Sequence, residues 1–252
     1  MSLDISPGQL ICYDLRGCGR SEGPLKEEAY SSERQAEEFK VVIEAYGVTK
    51  PFVATWSMGG TGIIPPDVMA KYGPESLAGH IMMGSCPHLN MNGEIMNPVI
   101  LGLFPGLMTE DIALFAKTLP EFILSFVSPK YKLPYDVYAK WLGGVAPRYG
   151  NLCMGINRTM PPIMKIADRF PYLAIQGEDD QYIVPEKLEK WMKDHLSQSD
   201  VHLLPGVGHA PFYKAPEITN KLILGFVEKH SSCCTDGQLR RIAEYTAGFG
   251  YI

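Results

Sequence analysis

The sequence lacks the features that mark membrane-spanning, secreted and nucleic-acid-binding proteins. It has no charge-free apolar run of about 18 residues, the length that a membrane-spanning helix needs. Its first residues show no basic segment followed by an apolar one, so we expect no signal peptide. Lysine and arginine form no extended cluster and the formal net charge is −5, which argues against a nucleic-acid partner.

Cysteine is present, but not in the spacing of a disulfide framework or a metal site. The six cysteines are scattered, no C-x-x-C pair occurs, and adjacent Cys233 and Cys234 cannot easily bridge each other. The histidines other than His209 show no metal-ligand spacing. We therefore expect reduced thiols in a cytoplasmic protein that uses no metal and no other cofactor.

Strand and helix patterns alternate along the chain. The apolar runs that predict strands lie at 9–14, 51–55, 78–84, 172–177 and 201–204. The helical patterns lie at 31–46, 67–72, 185–196 and 216–229. This alternation predicts an α/β fold in which helices flank a mostly parallel sheet and catalytic groups sit on loops at the strands' carboxyl ends.

Local signals refine some of these boundaries. Ser32 with Gln35 suits a capping box at the start of the first helix. Pro65 and Pro66 predict a kink or break after the second strand, because proline removes a helical donor. Residues 238–245 suit a short amphipathic helix.

One long segment interrupts the alternation. It has no good strand pattern and is rich in Met, Leu, Phe and Pro. We therefore divide the chain into a first core part, an insertion, a second core part and a tail. Their bounds are 1–86, 87–168, 169–230 and 231–252.

The stretch FVATWSMGG at 52–60 predicts a sharp strand-to-helix turn with Ser57 at its tip. A β-branched run ends at the serine, and Gly59 and Gly60 follow at once. Small residues on both sides let strand and helix pass closely, while the serine takes a strained, exposed conformation. The spacing is that of the nucleophile elbow G-x-S-x-G, with Thr55 in place of the first glycine. The alternative interpretation is an ordinary glycine-rich turn.

A serine nucleophile needs a general base, and the base needs a carboxylate to orient it. After the predicted strand 172–177, Asp180 stands three residues beyond a glycine, with Asp179 as the alternative acid. After the strand 201–204, a glycine-flanked loop carries His209. The three groups follow in the order serine, acid, histidine.

Four motifs in this order resemble those of α/β-hydrolases of the serine esterase, lipase and peroxidase-like branch. DLRGCGRS at 14–21 is similar to that family's D-x-R-G-x-G-x-S loop, and TWSMGG at 55–60 resembles its elbow. GEDD at 177–180 resembles its acid loop, and GHAP at 208–211 resembles its histidine loop. The resemblance extends over residues 10–229.

The resemblance implies an α/β-hydrolase fold and a role for each motif. Ser57 would be the nucleophile, Asp180 the orienting acid and His209 the base. The amide of Met58 would donate to the oxyanion, and the insertion at 87–168 would be a helical lid. Three aromatic residues would contact an apolar substrate: Trp56, Phe104 and Phe126.

The family normally has further strands and an oxyanion loop before the strand at 9–14. Only eight residues precede Gln9, and no histidine is followed by glycine. The chain thus reads as a natural short form, a truncated product or a pseudoenzyme. We expect the sheet edge near 10–14 to be exposed or covered by a partner, including a second copy in a homodimer.

Two functions follow from these observations. The first is a serine hydrolase that cleaves a small, largely apolar ester through an acyl-enzyme; C–C bond hydrolysis, acyl transfer and perhydrolysis are variants of it. The second is a ligand- or partner-binding protein without catalysis. A peptidase is less favoured, because the elbow differs from that of the proline iminopeptidases whose first loop this chain resembles.

Overall fold

The computed structural model describes residues 9–24, 26–59, 65–87, 92–145, 170–231 and 241–245. Within them the chain forms one sheet of six strands. The strands are β1 (Gln9–Tyr13), β2 (Phe52–Trp56), β3 (Gly79–Met83), β4 (Tyr172–Gly177), β5 (Ser199–Leu204) and β6 (Arg241–Tyr245). All pairings are parallel, in the order β1-β6-β2-β3-β4-β5. The predicted α/β fold with a mostly parallel sheet is confirmed.

Helices connect and flank the strands. They are α1 (Ser32–Ala45), α2 (Pro65–Tyr72), α3 (Asn92–Ile95), α4 (Pro98–Leu101), α5 (Phe104–Leu107), α6 (Ile112–Leu124), α7 (Tyr135–Val145), α8 (Pro185–His195), α9 (Pro211–Lys214) and α10 (Pro216–Ser231). No helix of the described residues is long and apolar enough to cross a membrane.

Two helix starts differ in detail from the sequence prediction. The N-cap of α1 is Ser31 and not Ser32: the Ser31 hydroxyl accepts from the amide of Arg34 at 3.3 Å. Helix α2 begins with Pro65 and Pro66, which are tolerated in a first turn because its amides have no intrahelical acceptor. The predicted kink or break is at Pro65 and Pro66, and residues 60–64, which precede them, lie outside the described residues.

The middle of the sheet forms the core. Every residue of β2, β3 and β4 is buried. Strands of a parallel sheet covered on both faces read as continuous apolar runs, which is why these three are legible in the sequence. Their carboxyl ends share one edge of the sheet, and the loops that follow β2, β4 and β5 meet there.

Strand β6 corrects the prediction of a helix at 238–245, because residues 241–245 are extended. It lies between β1 and β2, with Gln9 opposite Arg241 and Thr55 opposite Tyr245. Strand β6 forms backbone hydrogen bonds with β1 on one side and with β2 on the other. These two sets of hydrogen bonds override the helical preference of Arg, Ala and Glu. Strand β1 therefore forms an edge of the described sheet.

The described part of the insertion, 92–145, consists of α3 to α7 and their connections. Residues 146–169 lie outside the described part of the chain. Helix α6 begins at an Asp111 N-cap, whose carboxylate accepts from the amides of Ala113 and Leu114. Its last turn packs against the loop that follows β4, where Phe122 contacts Tyr182. A helical segment thus borders the edge of the sheet where the loops that carry Ser57, Asp180 and His209 lie.

Candidate active site

Ser57 sits at the tip of the turn that follows β2. Its φ is 51°, in the left-handed region that side chains other than glycine rarely adopt. The short 3-10 turn Ser57–Gly59 follows at once. The hydroxyl of Ser85, just beyond β3, donates to the carbonyl of Ser57 at 2.6 Å. This hydrogen bond holds the strained peptide against the neighbouring strand.

A buried polar pair lies under the turn and accounts for Thr55 at the elbow's usual glycine position. Thr55 Oγ1 lies 2.7 Å from His80 Nε2, and it donates to the carbonyl of Ile81 at 3.3 Å. Since the hydroxyl has one proton, it accepts from the Nε2–H of His80. Burial lowers the pKa of His80 to about 3, so the ring stays neutral.

His209 connects the serine to a carboxylate. Its Nε2 lies 2.8 Å from Ser57 Oγ and its Nδ1 lies 2.9 Å from Asp180 Oδ2. An ionised carboxylate can only accept, so Nδ1 carries the proton and Nε2 is free to accept from the serine hydroxyl. Three motifs that stand far apart in the sequence thus form one hydrogen-bonded chain.

The acid is held from several directions. Asp180 Oδ1 accepts from the amides of Tyr182 at 2.6 Å and Ile183 at 3.3 Å. Its Oδ2 accepts from the side-chain amide of Gln176 as well as from His209. Asp180 is 8% exposed. Donors on both oxygens satisfy the buried anion and fix its orientation.

Asp179, the alternative acid, points to a different part of the chain. Its Oδ2 accepts from the hydroxyl of Ser128 at 2.6 Å. Its Oδ1 lies 3.7 Å from the ammonium of Lys130, whose side chain is 86% exposed. Asp179 thus ties the acid loop to the insertion, while Asp180 alone of the two contacts His209.

Two of the three aromatic residues proposed for substrate contact are buried around His209. The indole N–H of Trp56 donates to the carbonyl of His209 at 2.8 Å, and its ring also packs on Phe126. Phe126 lies with its ring centroid 6.1 Å from that of His209. These contacts are with the protein itself and position the histidine loop. Phe104, on α5, is half-buried against the core.

Gly84 leaves room for the histidine loop. Its φ is 53°, and a Cβ at this position would lie 2.5 Å from the carbonyl oxygen of His209 and 3.0 Å from its Nδ1. Only glycine suits both the conformation and the space.

Met58 follows Ser57 within the 3-10 turn, so its amide adjoins the backbone of Ser57. Its role as an oxyanion donor stays a prediction. Among the described residues, no group of three or more His, Cys, Asp or Glu side chains could hold a metal ion.

Sequence reasoning missed several residues that shape the site. Gln176 is the last residue but one of the apolar strand β4 and is fully buried, and Ser85 follows β3 on the same edge of the sheet. A lone polar residue at the carboxyl end of an apolar strand was the available signal. Tyr182 stacks on His209 with ring centroids 3.9 Å apart and an interplanar angle of 20°. Its place two residues after the acid gave no indication of that contact.

Comparisons with known proteins agree with the fold. The Alpha/beta hydrolase family matches residues 5–222. The chain is 27% identical over 187 residues to the pimeloyl-[acyl-carrier protein] methyl ester esterase of Yersinia enterocolitica, covering 70% of this chain and 69% of that protein. It is 26% identical over 233 residues to the AB hydrolase superfamily protein YisY of Bacillus subtilis, covering 86% and 81%.

A solved structure shows the same fold. It is described as an aryl esterase from Burkholderia cenocepacia, and it superimposes with a TM-score of 0.76 at 20% sequence identity. The match covers 92% of this chain and 93% of that one.

Proposed function

Because the chain belongs to the alpha/beta hydrolase family, we propose that it is a serine hydrolase that cleaves a small, largely apolar ester. The observation that carries this proposal is the hydrogen-bonded chain from Ser57 through His209 to Asp180, with distances of 2.8 and 2.9 Å. A hydroxyl so placed can pass its proton to the imidazole as it attacks.

Each group has a defined step. Ser57 Oγ attacks the ester carbonyl carbon while its proton moves to His209 Nε2, and Asp180 stabilises the imidazolium that forms. The amide of Met58 donates to the developing oxyanion. His209 then gives its proton to the departing alcohol, which leaves an acyl group on Ser57. Water, deprotonated by His209, releases the acid and restores the enzyme.

One observation supports an apolar acyl group as the substrate. The insertion at 87–168 is rich in Met, Leu and Phe, and its described helices border the active-site edge of the sheet. We propose that it acts as a lid and that Phe104 contributes to the pocket.

The similar Yersinia protein is named for a methyl ester, in which a small alcohol leaves. The scattered cysteines suit a protein that acts in the cytoplasm.

The test has two parts. A fluorophosphonate probe labels only an activated serine, so we expect rapid labelling of the wild type and none of the Ser57→Ala variant. The p-nitrophenyl esters of graded acyl length then give the chain-length preference from kcat/KM. Ser76→Ala is the matched control, because Ser76 lies in a surface turn where its hydroxyl bonds the carbonyl of Gly73.

An unlabelled wild-type protein without ester turnover would overturn the proposal. The hydrogen-bonded chain of Ser57, His209 and Asp180 would then serve ligand or partner binding. Labelling of Ser57→Ala at the wild-type rate would equally exclude Ser57 as the nucleophile.

A further inference from the structure

Tyr182 makes contacts with several parts of the candidate active site. It lies in the loop after β4, two residues beyond Asp180, and it is 4% exposed. The proposed mechanism assigns it no step. Its ring, its backbone and its hydroxyl each contact a different part of the site.

The ring covers one face of the histidine. Its centroid lies 3.9 Å from that of the His209 imidazole, and the two planes are inclined by 20°. A base that accepts a proton from Ser57 and later donates it must keep its ring in the plane of both partners. The stacked phenol restricts rotation of the imidazole out of that plane. An aromatic face also stabilises the imidazolium, since the ring quadrupole attracts a cation.

The backbone of Tyr182 holds the acid and one helical segment of the insertion. Its amide donates to Asp180 Oδ1 at 2.6 Å. Its carbonyl accepts from the amide of Asn97, the N-cap of α4, at 2.7 Å. One residue therefore fixes the carboxylate and joins its loop to the insertion.

The hydroxyl reaches the end of α6. It donates to the carbonyl of Phe122 at 3.0 Å and lies 2.8 Å from the hydroxyl of Ser125, which in turn lies 2.7 Å from the same carbonyl. The last carbonyls of a helix have no intrahelical donor, so this phenol satisfies one of them. Burial raises the pKa of Tyr182 well above its ordinary value, so the phenol keeps its proton and remains a donor.

We propose that Tyr182 is a positioning residue that couples the insertion to the catalytic imidazole. Its ring keeps His209 aligned between Ser57 and Asp180, and its hydroxyl fastens the end of α6 over the same histidine. The inference rests on the proposed hydrolase function. The two halves of the coupling are separable, because the ring and the hydroxyl can be removed one at a time.

The test compares two substitutions of this residue. Tyr182→Phe keeps the stacked ring and removes the hydroxyl. We expect KM to rise about threefold to tenfold, because the end of α6 loses a tie, while kcat stays near its wild-type value. Tyr182→Leu removes the ring as well. We expect kcat to fall about tenfold and the acidic limb of the kcat/KM profile to move to lower pH, because the imidazolium loses its aromatic neighbour.

Two further variants complete the design. Ser125→Ala removes the other hydroxyl at the end of α6 and should reproduce the KM increase of Tyr182→Phe. Tyr135→Phe is the matched control, since Tyr135 is 82% exposed on α7 and should leave every constant unchanged. If Tyr182→Leu does not fold, the KM values of Tyr182→Phe and Ser125→Ala still decide the coupling to α6.

The outcomes distinguish this inference from the function on which it rests. If fluorophosphonate labels the wild type and not Ser57→Ala, the hydrolase stands and the Tyr182 variants are informative. Unchanged constants and an unmoved acidic limb in Tyr182→Leu would then overturn the role of the ring. Unchanged KM in both Tyr182→Phe and Ser125→Ala would overturn the coupling to α6. An unlabelled wild type would remove the function and this inference together.

Discussion

The loops that carry Ser57 and Asp180 each fix one reactive group, but they do so by different means. The elbow after β2 holds Ser57 at a φ of 51°, so the backbone itself aims the hydroxyl. The loop after β4 has no residue with a positive φ from 177 to 184. Its Asp180 carboxylate is held instead by hydrogen-bond donors. The amides of Tyr182 and Ile183 belong to the loop itself, and the side chains of Gln176 and His209 reach it from neighbouring segments.

The two loops therefore differ in how their functional group affects stability. The conformation of Ser57 lowers the stability of the fold, whereas the hydrogen bonds that orient Asp180 raise it. A left-handed conformation at a residue other than glycine costs free energy of folding, about 1–3 kcal/mol. Hydrogen bonds to a buried carboxylate stabilise the fold while they orient the acid. We therefore expect changes in the acid loop to lose both rate and stability, and changes of the serine to lose rate alone.

The largest expected effect comes from the acid. Asp180→Asn removes the charge that stabilises the imidazolium and places an amide against the Nδ1–H of His209, so kcat should fall about 10⁴-fold. The free energy of unfolding should fall by about 1–3 kcal/mol. Asp179→Asn is the control and should keep kcat within about twofold, because Asp179 contacts the insertion. Equal losses in the two variants would contradict the assignment of the acid.

The second effect concerns the space beside the histidine. Gly84→Ala should lower kcat/KM about 10²-fold, because its Cβ would displace the backbone of His209 and a shift of about 1 Å is enough for such a loss. Gly73→Ala is the matched control: Gly73 also has a positive φ, 90°, but a Cβ there meets nothing within 4 Å. It should lose stability but keep its rate. A wild-type rate in Gly84→Ala would show that the histidine loop adjusts freely.

The third effect is a pH dependence that arises under the elbow. The unfolded chain protonates His80 below its ordinary pKa of 6.5, whereas the native ring accepts a proton only near pH 3. The unfolded state thus binds more protons in this window, and stability should fall as the pH is lowered, by roughly 1 kcal/mol per pH unit. His80→Gln keeps a donor for Thr55 without titrating. Urea unfolding at pH 7, 5.5 and 4.5 should show a shallower loss for it, and parallel curves would exclude His80 as the source.

The smallest effect tests the strain at the nucleophile. Ser57→Gly and Ser57→Ala should both abolish turnover, but the glycine variant should be more stable by roughly 1 kcal/mol, because only glycine adopts φ 51° without a steric cost. Thermal unfolding of the two variants measures the difference. An alanine variant as stable as the glycine variant would mean that the elbow stores no strain.

The parts of the fold that the sequence predicted are those that depend on neighbours in the chain. Strands β2 to β4 could be predicted because burial of both faces gives continuous apolar runs. The turn at Ser57 could be predicted because it needs small residues at fixed spacing. The stack of Tyr182 on His209 and the pairing of Thr55 with His80 join segments far apart in sequence. No local pattern encodes those contacts.

The same reasoning explains the wrong prediction at the tail. Arg, Ala and Glu favour a helix in an isolated segment, and residues 241–245 contain all three. Their extended conformation follows from the two strands on either side, which only the assembled sheet provides.

That pairing also has a consequence for how the protein folds. Strand β6 comes last in sequence among the described strands, yet β1 joins the sheet only through it: Gln9 pairs with Arg241. During synthesis on the ribosome, β1 emerges before β6 and cannot pair with it until residues 14–240 have followed. Contacts between such distant residues slow folding, because a long loop must close before they form. The facing edges of β1 and β2 stay open in the meantime, so we expect newly made chains to be most prone to aggregation just before β6 is inserted.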